Sequence, residues 1–341
     1  MKSELSPKQS IAAPRLKRRR SALVAFLDCL YLISLVGLIA FLRTCGDRTW
    51  LGTVLLFSPR WPALLPLVIL LPITLWKNRP MLIVLLVSIL VAIFPLMQFG
   101  IGGLRKAPAV GSGLPIRVVA FNVHHQPLTA PQAVAFFASV HPDIVAIEEI
   151  VPGFNTRLFP RESWHTSWRG ELFIASRFPI IQSKNLSDEA ITQYVLSTPA
   201  GPIDFAVVHL ASPHYSLQDA IEGSDPGNVE LARNIRFRAD ESAILARLAA
   251  RSHHPLILAG DFNLLPDSPL FVSRFSTLSD SFEKTGTGFG WTYLGHWTAV
   301  RIDHVLSSNG VVPTAFSIGP WLGSPHRPII ADLVLVQNAN R

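Results

Sequence analysis

Three apolar runs occupy most of the first hundred residues, and they constrain the chain before any globular folding is considered. Residues 21–42 read SALVAFLDCLYLISLVGLIAFL, interrupted only by Asp28; residues 61–76 read WPALLPLVILLPITLW; residues 80–99 read PMLIVLLVSILVAIFPLMQF without a charge. The hydrocarbon core of a bilayer takes roughly 20 apolar residues as a helix. Three transmembrane helices are therefore expected, over about 21–42, 55–76 and 80–99, the middle one extended back through TVLLFSP with Arg60 near its end. The first run exceeds the roughly 7–15 apolar residues of a cleaved signal, and no small-x-small site follows it, so it reads as an uncleaved anchor.

Seven Lys and Arg precede the first run, RLKRRR among them, which makes residues 1–20 a basic cytoplasmic N-terminus. Three crossings then place everything after Phe99 on the far side, the periplasmic face of an inner membrane crossed several times; two crossings would leave it cytoplasmic. Up to Lys106 the chain holds 14 Lys/Arg against 3 Asp/Glu, leaving 16 against 20 for the rest. The basic balance belongs to the membrane third, and the remainder lacks the clustered cations of a non-specific nucleic-acid binder. Cys29 and Cys45 are the two cysteines, so no thiolate zinc site or disulfide framework lies beyond them. All eleven histidines lie from His124 to His326.

Residues 100–115, rich in Gly, Pro and Ala, suit a flexible linker, and residues 116–341 then read as one domain. Strand-like runs (IRVVAFNV, DIVAIEEI, LFIAS, IDFAVVHL, PLILAGDFN, RIDHVLSS, IIADLVLV) alternate with helical stretches at Pro131–Val140 and Asn228–Arg251. The mixture predicts an α/β domain. Several of these strands end in a polar group: Asn122, Glu148 with Glu149, His209, and Asp261 with Asn263; Asp303 and His326 follow. Strand ends hold side chains rigidly while leaving them accessible. Carboxylates, amides and imidazoles without thiols suit a hard divalent cation, Mg²⁺ with Mn²⁺ as the alternative, so the set fits metal-assisted phosphoester hydrolysis. In GDFN, residues two apart on an extended chain face one way, which directs Asp261 and Asn263 to one phosphate with Phe262 packed behind.

Taken in order, FN, DIVAIEEI, SRFPI, VVHL, GDFN, RIDHVL and SPHRPI resemble the endonuclease/exonuclease/phosphatase superfamily of deoxyribonuclease-I-like proteins, over Ile116–Val336. The resemblance implies a four-layered α/β sandwich, two packed mixed sheets flanked by helices, with the site at one end of the sheets. It implies Asn122 near metal and phosphate, Glu149 as metal ligand, and Asp261 as a metal neighbour that positions or deprotonates the attacking water. Asn263 would hold phosphate, His209 would match a strand-end histidine, and Asp303 would orient the C-terminal His326. Glu148 stands where the family often has Gln, and Ser324-Pro325-His326 departs from the usual Ser-Asp-His by lacking a carboxylate.

Outside that series, Arg177 is a candidate for contact with substrate phosphate, as is Arg327, each against a surface salt-bridge reading. The pairs His124-His125 and His253-His254 look like metal ligands, but neighbours on a strand point to opposite faces, which argues against a shared ion, while His124, beside Asn122, could still line the pocket. The reading is a membrane-anchored, divalent-metal-dependent phosphoesterase that cleaves phosphodiesters of nucleic acid or of phospholipid and other small molecules. It meets the lipid bilayer through its N-terminal helices, and no protein partner is evident in the residues. The alternative from another class is a non-catalytic membrane protein that retains the fold as a binding module.

Overall fold

The computed structural model describes residues 9–104, 113–187, 190–224, 228–295 and 298–336. It divides into two compact units: Met1–Phe41 with Pro59–Phe99, and Leu42–Ser58 with Gly100–Arg341. The first holds most of helix α1 (Gln9–Cys45), with α3 (Leu65–Lys77) and α4 (Leu82–Val91). Arg19–Arg48 and Arg79–Leu96 are each long and apolar enough to cross a membrane. Asp28, the one acid in the first apolar run, is buried and accepts hydrogen bonds from the Thr74 hydroxyl at 2.9 and 3.1 Å. Arg60 donates to the Leu96 carbonyl at 2.6 Å, so its charge meets a helix C-terminus.

The middle span departs from expectation. Helix α2 (Trp50–Phe57) stops at Phe57 and does not run on into the apolar stretch that follows. Pro59 disfavours the helical conformation at the residue before it, and Ser58 is extended, with φ −72 and ψ 154. Residues 55–57 therefore end a short helix of the second unit, and the apolar segment resumes at Trp61.

In the second unit the period-2 runs form two six-stranded sheets. One has the order β11-β12-β1-β2-β4-β3, with β1 (Gly113–Asn122), β2 (Ile144–Glu148), β3 (His165–Arg169), β4 (Leu172–Ser176), β11 (Val311–Ile318) and β12 (Ile329–Val336). The other has the order β9-β10-β8-β7-β6-β5, with β5 (Ile180–Ser187), β6 (Ile191–Thr198), β7 (Gly201–His209), β8 (Leu256–Asp261), β9 (Ser279–Asp280) and β10 (Asp303–Ser307). Both are mixed: β1–β2 and β7–β8 are parallel and the other pairs antiparallel.

Side-chain parity assigns the faces. Ile116, Val118 and Ala120 of β1 pack with Ile144 and Ala146 of β2 against Phe205, Val207, Ile257, Ala259 and Val305 of the other sheet. The alternate residues Val119, Phe121, Val145 and Ile147 pack on α5 (Pro131–Val140) through Ala133, Phe136 and Phe137. On the far side Ala206, Val208 and Leu258 meet Leu245 of α7 (Val229–Arg251) and Phe271 of α8 (Pro269–Phe275). The result is the expected four-layered α/β sandwich. Part of the presumed linker is also structured: Gly100–Ile101 pairs with Thr287–Gly288, while 105–112 lies outside the described residues.

Candidate active site

The same parity places the polar strand ends. Asn122 and Glu148 continue the inter-sheet stripe of β1 and β2, His209 and Asp261 that of β7 and β8, and Asp303 that of β10. The registers Asn122↔Glu148, His209↔Asp261 and Asp303↔Asp261 align them at one end. The amide of Asn122 joins the sheets, donating to Glu149 Oε1 at 2.8 Å and to Asp261 Oδ2 at 3.1 Å.

Glu149 would point away from this stripe if β2 continued. The strand stops at Glu148 and Glu149 takes φ 56, which turns its carboxylate back onto Asn122. His209 Nε2 lies 3.3 Å from Glu149 Oε1. Burial opposes ionisation of Glu149, but His209, by hydrogen bond and charge, with Asn122 and His124, draws its pKa down to about 2. Glu148 is the opposite case: both its oxygens are buried without a hydrogen-bond partner, and burial, then the charges of Asp303, Asp261 and Glu149, push its pKa well up. Glu149 is therefore held as the anion, whereas ionisation of Glu148 is opposed.

Burial and the nearby Asp303 raise Asp261 to about 6, against the opposing charges of His326 and His209. His326 Nδ1 lies 3.0 and 3.1 Å from the two Asp303 oxygens, and its Nε2 is 3.7 Å from Asp261 Oδ2. Burial disfavours its protonation, but Asp303 and Asp261 raise it to about 9. Asp261, Asp303 and His326 each offer a ligand-type atom within 4.8 Å of the others. His209 is likewise raised, burial being overcome by Glu149 and Asp261.

Asn263 is brought to the site in a different way from that expected. Strand β8 ends at Asp261, and Asn263 is left-handed, with φ 47; its N–H donates to Asp261 Oδ1 at 2.9 Å and its side-chain amide to Leu210 O at 2.8 Å. The turn makes the Asp–Asn relation, and strand alternation does not. Gly260 lies inside β8. Its φ is 139, and a Cβ there would lie 2.1 Å from Val208 O and 2.7 Å from Glu148 Oε1, so the glycine permits the close approach of β7 and Glu148.

Arg177 is not in the site. Ile144 pairs with Ser176, so Arg177 lies beside Asp143 at the start of β2, a strand length of roughly 17 Å from Glu149 at about 3.3 Å per residue. There it stacks on Trp164 at 4.1 Å and donates to Ser163 O. Arg327 spends its Nε on Gly319 O. His254 lies 3.5 Å from Asp204, five residues before His209 on β7 and so away from the end that carries His209.

His124 and His125 also differ from expectation. They follow β1 in left-handed conformations, φ 47 and 60, and both rings reach Glu149 Oε2, at 3.2 and 3.4 Å. Strand alternation does not apply to them. Tyr293, which carried no sequence signal, lies edge-on to His326 at 4.9 Å, and Ser324 of the SPH motif bonds both Asn122 O and His326 N. Pro325 accepts from Leu294 N–H through its carbonyl.

Glu149 and Asp261 supply carboxylate oxygens without a thiol, the first already ionised and flanked by His124 and His125, whereas Asn122 turns its amide nitrogen to both acids and its oxygen to His124 N–H. The set fits a hard or borderline divalent cation.

Residues 119–326 match the family model described as Endonuclease/Exonuclease/phosphatase family. Among solved structures, a humanized D. rerio TDP2 is similar at 14% identity, covering 64% of this chain and 98% of that one, with a TM-score of 0.50. An AP endonuclease from Archaeoglobus fulgidus is similar at 14% identity over 63% and 98%, also with a TM-score of 0.50. At such identities the likeness speaks to fold alone. No curated protein sequence matches the chain.

Proposed function

The chain belongs to the endonuclease/exonuclease/phosphatase family, hydrolases acting on phosphoester bonds, and on that premise we propose that it is a membrane-anchored, divalent-metal-dependent phosphodiesterase. The observation that carries this reading is the convergence of Asn122, Glu149, His209, Asp261, Asp303 and His326 at one end of the sandwich, with Asn122 bonded to both acids. Glu149, with Asn122 and Asp261, would hold Mg²⁺ or Mn²⁺, which when bound neutralises charge on the phosphoryl oxygens.

The remaining work belongs to side chains. Asp261, raised to about 6, is ionised at neutral pH yet basic enough to take a proton from water attacking phosphorus in line. As the water oxygen bonds to phosphorus, the ester oxygen departs and takes a proton from His209. His326, kept protonated by Asp303, donates from Nε2 to the phosphoryl oxygens, where negative charge builds. Asn263 supplies the amide N–H not committed to Leu210, and Asp303 positions His326.

The net acidic balance after Lys106 favours a small phosphodiester or a phospholipid head group over nucleic acid. Purified full-length protein in detergent is expected to hydrolyse bis-p-nitrophenyl phosphate with Mg²⁺ or Mn²⁺ and to stop on chelation. Glu149→Gln and His326→Ala should each lower kcat/KM by about 100-fold or more. Wild-type rates in both variants would refute the site, and parallel assays of plasmid nicking and lipid head-group release separate the substrates.

A further inference from the structure

Leu42–Ser58 lies between the first two apolar segments, yet it packs with residues 100–341 as part of one compact unit. Its contacts there are specific. Both oxygens of the buried Asp47 accept the Leu270 N–H at 3.2 Å, and Thr298 donates to Phe57 O at 2.6 Å.

Arg238 of α7 is fully buried, an unusual place for a guanidinium. Nη1 donates to the backbone carbonyl of Asn263 at 3.2 Å, Nε donates to Asn234 at 3.0 Å, and Nη2 has no hydrogen-bond partner. Its charge therefore depends on neighbours that do not bond it directly. Those are the carboxylates of Asp47 and Glu241, which oppose the burial that draws its pKa down to about 10, and the Phe57 ring, 5.7 Å from Cζ. The loop from Asn263 to α8 is thus held at both ends, by Arg238 on Asn263 O and by Asp47 on Leu270 N. Asn263 is left-handed, a conformation that asparagine tolerates, and its N–H and side-chain amide are tied to Asp261 and Leu210.

We propose that Leu42–Ser58 is a positioning element of the active site, in which Asp47 and Phe57 hold Arg238 so that Arg238 fixes the backbone of Asn263. The catalytic consequence rests on the reading of Asn263 as a phosphate-binding residue, whereas the structural one does not. A buried charge that loses its compensating partner destabilises its surroundings far more than an exposed one, and the disturbance falls on the loop that begins at Asn263.

The test uses full-length protein in nanodiscs, with Asp47→Asn as the near-isosteric variant, Phe57→Leu as the second, and exposed Trp50→Ala as the control in the same segment. Backbone hydrogen exchange over Phe262–Leu270 is expected to rise about 10-fold or more in Asp47→Asn and Phe57→Leu and to stay unchanged in Trp50→Ala. In hydrolysis, Asp47→Asn should lower kcat/KM about 10-fold while leaving the Mn²⁺ dissociation constant unchanged. Combined with Arg238→Gln it should be no worse than Arg238→Gln alone. Unchanged exchange in both variants would overturn the proposal, whatever the enzyme's activity. So would multiplicative losses in the double variant. Raised exchange in a protein that hydrolyses no phosphodiester would uphold the positioning while refuting the functional reading.

Discussion

At the scale of single residues, the site is an exercise in assigning charge to four buried or half-buried acids and two histidines. Glu148 and Glu149 are adjacent and chemically identical, but burial between the sheets opposes ionisation of the first, while His209 and Asn122 favour the anion of the second. The sequence offers EE and cannot choose between them by periodicity, because the choice is made by the positive φ of Glu149; only the family resemblance singled out the second. The proposed roles predict a bell-shaped pH profile. Asp261 must be ionised, so kcat/KM rises as pH passes about 6, and His326 must be protonated, so it falls as pH passes about 9. The stability linkage has the same sign: His326 is raised above its ordinary value, so its pair with Asp303 contributes fully below about 6.5 and is lost as pH rises through about 9. Asp303→Asn removes an anion that raises both groups. Both limbs should therefore move to lower pH in a kcat/KM profile at fixed metal concentration, and an unmoved alkaline limb would contradict the assignment of His326.

At the scale of elements, the strands and the two main helices were legible because their signals are local. Pro131–Val140 is helical over the predicted residues, and the predicted helix from Asn228 begins one residue later, at Val229. Alternation in IRVVAFN and LILAGD is satisfied by a two-sided burial that any packed strand needs. What failed was extrapolation past a strand end: Asn263, His124 and His125 were read with strand alternation and are all left-handed. Arg177 failed for another reason, since SRFPI does not reveal that β4 runs antiparallel to β2 and carries its end away from Glu149. Gly260 is an element-level position with little freedom. Replacing it with alanine puts a methyl group against Val208 O and Glu148, and should cost on the order of 3 kcal/mol. A fall in the denaturant midpoint of Gly260→Ala checks this, while Gly153→Ala, whose Cβ would meet nothing within 4 Å, should be milder.

At the scale of the whole molecule, the apolar N-terminal third and the α/β sandwich are separable in composition but not in chain order. Arg19–Arg48 and Arg79–Leu96 are each long and apolar enough to cross a membrane, and we propose a further crossing between them, so that Leu42–Ser58 and Gly100–Arg341, which form one compact unit, share a side. The basic N-terminus and the sandwich would then lie on opposite faces. A phosphatase reporter fused after Val336 should be active outside the cytoplasm and one fused ahead of Gln9 inactive; activity reversed between the two would refute the arrangement. The sequence by itself determined the apolar helices, the α/β class and the ordered polar strand ends, because hydrophobic period and local residue chemistry act over a few neighbours. Tertiary structure alone decided which end of each strand meets which, that Arg177 is remote, and that His124 and His125 surround Glu149. It also decided that residues 42–58 belong with the sandwich. Those outcomes depend on strand direction, on backbone turns at strand ends, and on burial shared by segments far apart in the chain, none of which leaves a mark in local pattern.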